Sequence, residues 1–334
     1  MEIRRVQVTG GSSYTLTLPK EWIESLNIKK NDPLGLLTQP DGTLLITSKI
    51  IEKQIERIKE FSISTTIDEN YLLRQLIGSY IGGYNSIKII SKTRMPSYIR
   101  LTVRKFTQIT IGQEVVEETD NSIIIKDLLK PAELPFNSTI KRMHIIVKSM
   151  HEDAISGLKT GNQKIAQEIL IRDNDVDRLH WLVVRQHNMI LQNVSLVKKM
   201  DITITLASTY FIISRIIERM GDHVVRIAKN AVYLANINLE QKLADKILSA
   251  SDLALDIFNK SIGSFFRKDI QASNKNIESV KKLETLCKEI NNLASNQNGR
   301  IAISIGYIVE SIRRIGEYAE DISEIAINYL IAEK

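Results

Sequence analysis

The sequence predicts a multidomain chain in three parts. A small β-rich segment comes first, a small α/β domain follows, and the C-terminal half is all-α, built from two three-helix repeats. Three observations predict this. The first fifty residues break into short alternating runs separated by glycine and proline turns. All six prolines lie at or before Pro135, so nothing afterwards interrupts long helical periodicity. Finally, Glu218-Arg-Met-Gly-Asp-His223 returns in altered form as Arg313-Arg-Ile-Gly-Glu-Tyr318, with Gly221 and Gly316 spaced 95 residues apart.

Residues 1–50 read as ββαββ. Ile3 to Val8 is β-prone, Gly10-Gly11-Ser12-Ser13 is a turn, and Tyr14 to Leu18 alternates as a half-buried strand would. Pro19 closes that strand and opens a short helix over Lys20–Leu26. Strands over Leu34–Thr38 and Leu44–Thr47 flank a turn at Pro40–Thr43. So short a segment makes a poor core alone, and dimerisation is expected.

Residues 51–138 alternate between helix and strand. A charged helix is expected over Ile51–Glu60 and a strand over Phe61–Thr66. Asp68 then caps a helix that ends at Gly82-Gly83. Ser86–Ile90 is a strand, Pro96–Thr110 a helix, and Gln113–Glu118 with Ser122–Lys126 a hairpin. No acidic residue occurs from Asn70 to Gln113, a span holding Arg74, Lys88, Lys92, Arg94, Arg100, Arg104 and Lys105. Such a patch suits DNA, a phosphorylated ligand or an acidic partner. The plainer alternative is a solvated face balanced by Glu114, Glu117, Glu118 and Asp120. Pro131 and Pro135 mark a linker, where inter-domain movement is expected.

Residues 139–334 form repeats of about 139–236 and 237–334. Long amphipathic helices are expected over Ile140–Thr160, Asn162–Lys199 and Ile202–Leu234, then Leu239–Phe266, Asp269–Leu293 and Arg300–Ala332. In the first repeat Glu218 and Asp222 lie four residues apart, on one side of a helix. Their repulsion needs a positive charge between them, either a metal ion or nearby arginines. Arg215 and Arg226 stand at the spacing for ordinary helix-surface ion pairs. In the second repeat Arg313 replaces the first acid, and an Arg313–Glu317 ion pair is expected.

The net charge is +6, which does not by itself establish a nucleic-acid partner. Cys287 is the only cysteine, so no intrachain disulfide forms and a reducing cytoplasm is expected. There is no signal-peptide pattern at the N-terminus and no run long enough to span a bilayer. No nucleophile constellation, phosphate-binding glycine loop or Cys/His zinc signature is present, so an enzyme is not expected.

The stretch from Val6 to Trp22, with Leu-Pro-Lys-Glu-Trp at its end, followed by Asn31-Asp-Pro-Leu and Asp41-Gly-Thr-Leu, resembles the AbrB/SpoVT-like swapped-hairpin DNA-binding domain. That resemblance implies two chains exchanging hairpins. It also implies that Arg4, Arg5 and Lys20 contact DNA phosphates, with Ser12, Ser13 and Tyr14 near the groove. Many DNA-binding members carry an arginine in the glycine turn, where this chain has Ser12-Ser13. The duplicated helical half, with Glu-Arg-Met-Gly-Asp-His as its signature, resembles the PhoU family of phosphate-uptake regulators. That resemblance implies metal binding at paired acids, with iron, zinc or magnesium as candidates. Glu218 and Asp222 match the motif, and Asp173 and Asp177 on the preceding helix repeat the spacing. His180, three residues on, is a candidate further ligand. The combination resembles archaeal phosphate-uptake regulators. It implies a dimeric transcription regulator that binds DNA and communicates with a phosphate ABC transporter or another signalling protein. The alternatives are a non-DNA-binding adaptor that restrains such a transporter, and a metal store or metal-dependent enzyme.

Overall fold

The computed structural model describes residues 2–38, 42–48, 57–64, 66–160, 162–235, 237 and 239–333. Contacts divide the chain into two compact units, residues 1–56 and 57–334.

In the first unit β1 (Gln7–Thr9) and β2 (Ser13–Thr15) form an antiparallel hairpin, and β3 (Gly35–Thr38) and β4 (Leu44–Thr47) form another. Helix α1 (Lys20–Ser25) lies between them and starts at Pro19. The ββαββ order is as expected, but the strands are shorter. β2 is exposed throughout rather than half-buried, because among the described residues only its hairpin partner β1 pairs with it and no layer covers its faces. Gly10 and Gly11 hold φ of +67° and +82° at the hairpin turn, a conformation that favours glycine. Part of the turn expected at Pro40–Thr43 lies outside the described residues.

The second unit opens with a four-stranded sheet. Its strands are β5 (Ile58–Ile63), β6 (Ser86–Ser91), β7 (Gln113–Glu118) and β8 (Ser122–Asp127), in the spatial order β5-β6-β8-β7. β5 and β6 run parallel because α2 (Glu69–Ile81) crosses between them; the other pairs are antiparallel. The helix expected over 51–60 is thus corrected at its end, since Ile58 to Glu60 belong to β5. Residues 51–56 lie outside the described set. Asp68 caps α2 as expected, its carboxylate accepting from Tyr71 N at 2.8 Å. α3 (Ser97–Ile109) packs beside α2. Leu72, Leu76, Tyr80, Ile99, Val103 and Phe106 meet alternate strand residues Ile87, Ile89, Ile123 and Ile125 in one core.

The remaining helices are α4 (Phe136–Thr160), α5 (Gln163–Gln192), α6 (Val194–Lys199), α7 (Ile204–Leu234), α8 (Gln241–Arg267), α9 (Ile270–Ala294) and α10 (Gly299–Ala332). The single stretch expected over Asn162–Lys199 is broken at Asn193. Its side chain leaves the helical pattern to accept from Ser195 N, capping α6. α4, α5 and α7 pack together as the first repeat, α8, α9 and α10 as the second, and α7 lies against α10. At that junction the rings of His223 and Tyr318, equivalent positions 95 residues apart, stand 5.7 Å from each other. Contact between equivalents is what a two-fold relation between repeats produces.

α5 joins the sheet to the bundle. Trp181 packs on the sheet core. Arg185 is buried and ion-pairs with buried Asp127, and it donates to the carbonyls of Tyr80 and Tyr84. Gln186 Nε2 donates to the carbonyls of Pro131 and Leu134, each at 2.8 Å. Asn188 reaches the Ile81 carbonyl, and Gln192 accepts from Arg57, the first residue of this unit. The Pro131–Pro135 segment, where movement was expected, is therefore tied to the bundle.

Candidate functional site

In the first repeat α5 presents Asp173 and Asp177 towards α7, which presents Glu218 and Asp222. A Cβ on Gly221 would come 2.8 Å from Asp173 Oδ1, so the missing side chain there makes room for a carboxylate between the helices. Burial pushes Asp177 up to about 7, and Asp173, Glu218 and Asp222 push in the same direction. Asp173 rises to about 6 through burial and the charges of Asp222 and Glu218, with Lys229 opposing. Glu218 is raised by burial and Asp222, against Arg215 and Arg219. Four acids thus share one field, and none of them has a side-chain hydrogen bond or ion pair among the described residues. Neither Arg215–Glu218 nor Arg226–Asp222 closes as an ion pair.

The donor chemistry suits a hard cation, which prefers carboxylate oxygens. The side chains do not converge, however: among the described residues no three His, Cys, Asp or Glu side chains gather closely enough to hold a metal ion. His180 is turned to α7, where its Nδ1 meets Ser214 Oγ at 3.0 Å. Burial and Arg215 lower its pKa to about 4, so it is a neutral ring packed between helices.

The second repeat resolves the same problem with side chains alone. Arg313 ion-pairs with Glu317, as expected, and also with Glu310 at 2.8 Å. Arg314 reaches both acids at 3.1 Å. These arginines hold the Glu310 carboxyl below its usual range. Leu283 stands against Gly316, where Asp173 stands against Gly221 in the first repeat. Cys287 is buried and its thiol is pushed up to about 11, which removes it as a nucleophile. Glu310 was missed in the sequence reading, although its i, i+3 spacing to Arg313 was the signal for it. The His223–Tyr318 contact was equally traceable from the 95-residue offset.

In the N-terminal unit Ser12 sits in the hairpin turn, Ser13 and Tyr14 lie on β2, and all three are exposed. Arg5 is exposed. Arg4 is partly engaged, ion-paired with Glu2 and donating to Thr17 Oγ1 at 3.3 Å. Lys20, at the start of α1, pairs with Glu24 at 3.5 Å. Val6, Val8, Leu16, Leu36 and Leu44 are uncovered on the same unit.

Comparison with known proteins follows this division. A family model described as the PhoU domain matches residues 140–231 and 247–326, together just over half of the chain. Another, described as antidote-toxin recognition MazE, bacterial antitoxin, matches residues 7–54. The phosphate-specific transport system accessory protein PhoU homolog 1 of Thermotoga maritima is 20% identical over 197 residues, 57% of this chain and 83% of that protein. Among solved structures, PhoU from Pseudomonas aeruginosa gives a TM-score of 0.52 at 18% identity, covering 60% of this chain and 96% of that one. The phosphate transport system regulatory protein PhoU from Streptococcus pneumoniae gives 0.51 at 14% identity, covering 60% and 94%. These structural likenesses show the fold of the helical half. No described helix is long and apolar enough to cross a membrane.

Proposed function

This chain belongs to the PhoU family, and from that premise we propose that it is a dimeric, DNA-binding regulator of phosphate uptake. The observation that carries the reading is the coupling of two modules in one chain: a MazE-like hairpin unit at residues 7–54 and a duplicated PhoU bundle. The relatives are named as accessory and regulatory proteins of phosphate transport, which supports a regulator rather than a catalyst.

The hairpin unit supplies the DNA contact in this reading, with Arg4, Arg5 and Lys20 at phosphates and Ser12, Ser13 and Tyr14 towards the groove. Its uncovered strands supply the dimer interface, since burying them against a second copy gains about 25 cal/mol per Å² of apolar surface. The bundle supplies sensing, through a phosphate ABC transporter or another signalling protein. A hard divalent cation held by Asp173, Asp177, Glu218 and Asp222 belongs to this proposal. It would supply the positive charge that the second repeat obtains from Arg313. An effector acts on DNA affinity only by preferring one conformation over another.

One observation favours a second reading, that of an adaptor without DNA. Arg4 and Lys20 already have acidic partners, and residues 1–50 hold six basic against five acidic side chains. The test is binding of the full chain to its own upstream DNA and to a phosphate-transporter promoter across a salt series. Saturable, salt-sensitive binding that Arg4→Ala with Arg5→Ala abolishes supports the regulator. Binding no tighter than to random DNA overturns it in favour of the adaptor.

A further inference from the structure

The hairpin unit carries few uncommitted cations for a DNA-binding element, and the structure shows where others stand. Seven basic residues fall in the acid-free stretch from Asn70 to Gln113, and the fold sorts them. Lys88 pairs with Glu60, Arg94 with Asp120, and Arg100 with Glu118. Those three belong to the sheet's own charge balance. Arg74, Lys92, Arg104 and Lys105 have no ion pair among the described residues, and all four are exposed.

Three of these four share one surface. α2 and α3 lie side by side and bury Leu72, Leu76, Ile99 and Val103 towards the sheet. Helical spacing then turns Arg74 of α2 and Arg104 and Lys105 of α3 outwards. Tyr71 and Leu101 stand on the same outer face, 55% and 62% exposed. Gly78 lies there too, and a Cβ added to it would meet nothing within 4 Å. A mid-helix glycine costs about 1 kcal/mol relative to alanine, and no packing among the described residues accounts for this one. An outer partner that approaches the backbone closely does account for it.

We propose that the outer face of α2 and α3 is a second nucleic-acid surface, which grips the phosphate backbone through Arg74, Arg104 and Lys105. Charge selects the partner: three unneutralised cations with no acid between them, beside an exposed aromatic ring, complement a polyanion. Contacts of this kind position the protein without reading sequence. Each phosphate neutralised releases counterions, so the logarithm of affinity falls with the logarithm of salt by about 0.9 per contact. The middle domain thus supplies affinity while the hairpin unit selects the site. This rests on the DNA-binding reading above.

The experiment measures binding of the full chain to promoter DNA between low and moderate salt. Wild type is compared with the Arg74→Ala, Arg104→Ala, Lys105→Ala variant. The expected result is a Kd about 10- to 100-fold weaker near 0.15 M salt, and a salt slope smaller by about 2–3 per protomer. All three side chains are exposed, and an unchanged Tm checks the fold. Two further variants separate charge from structure. Arg74→Lys with Arg104→Lys keeps the charge and is expected to keep the slope. Gly78→Glu suits the helix but puts a carboxylate on the contact face, and is expected to weaken binding as well. If wild type binds and the triple variant matches its Kd and slope, this surface is not a nucleic-acid contact. Failure of wild type to bind overturns both this surface and the regulator reading.

Discussion

Two glycines in equivalent places answer to different neighbours. Gly316 faces Leu283, and a Cβ there would overlap the Leu283 Cδ2 methyl in the bundle core. Overpacking costs about 1–3 kcal/mol, while alanine's better helix propensity returns about 1 kcal/mol. Gly316→Ala is therefore expected to lower the Tm by roughly 2–4 °C. A Cβ at Gly221 comes into close contact only with the Asp173 carboxylate, which can swing, so the Tm of Gly221→Ala should hold, while the cation binding proposed above should weaken in a calorimetric titration. Asp173 and Asp177 carry a pH signature. Asp177 and Asp173 titrate near 7 and 6 in the folded chain, above an unfolded carboxylate near 4. A raised folded pKa means the native state binds the proton more tightly, so this contribution to stability falls as pH rises from about 4 to about 7. Buried His151 and His180 and half-buried His223, lowered to about 4, slope the opposite way below about 6.5. A difference measurement removes them. In chelator-treated protein, Asp177→Asn should raise the Tm at pH 8, with the gain shrinking towards pH 5. An equal gain at both pH values would contradict the shared field. The two acid pairs were legible in the sequence because i, i+4 spacing fixes a helix face. Their failure to converge was not, because spacing is silent about rotamers and about Ser214, which takes His180.

At the scale of the element, α5 has the most varied duties. Its first half carries Asp173 and Asp177, and its second half carries Trp181, Arg185, Gln186, Asn188 and Gln192 onto the sheet. Burial pushes the Asp127 carboxyl up, and the Arg185 guanidinium beside it pulls it back down. Removing one member of a buried pair leaves a stranded charge and costs about 3–5 kcal/mol. Arg185→Met is expected to lose that much in urea unfolding, with faster hydrogen exchange at residues 80–84. Adding Asp127→Asn should recover part of the loss. The sequence showed α5 as a long amphipathic helix, since its periodicity is strong. It did not show the break at Asn193, where one side chain competes with the helix for a backbone donor. Nor did it show that Pro131–Pro135 is held, because prolines mark a linker without saying which amide will tie it down.

At the scale of the whole molecule, domain order and the duplication were readable, the first from turn chemistry and the second from a 95-residue offset. What could not be read was the sorting of the middle domain's cations, because ion pairs such as Arg100–Glu118 join residues that only the sheet brings together. The hairpin unit makes its own prediction. With Val8, Leu16 and Leu36 uncovered, the chain should sediment as a dimer, and Val8→Lys with Leu36→Lys should shift it to monomer. A monomeric wild type would contradict the interface. Finally, α5 spans 30 residues, about 45 Å at the rise of an α-helix. It is one stiff rod with an acid pair a third to half of the way along it and the contact with Arg57 at its C-terminal end. A tilt of about 5° at the acids would carry that end, about 25 Å away, through about 2 Å. A cation or partner that tilted the rod at the acids would therefore also displace Arg57, the first residue after the hairpin unit.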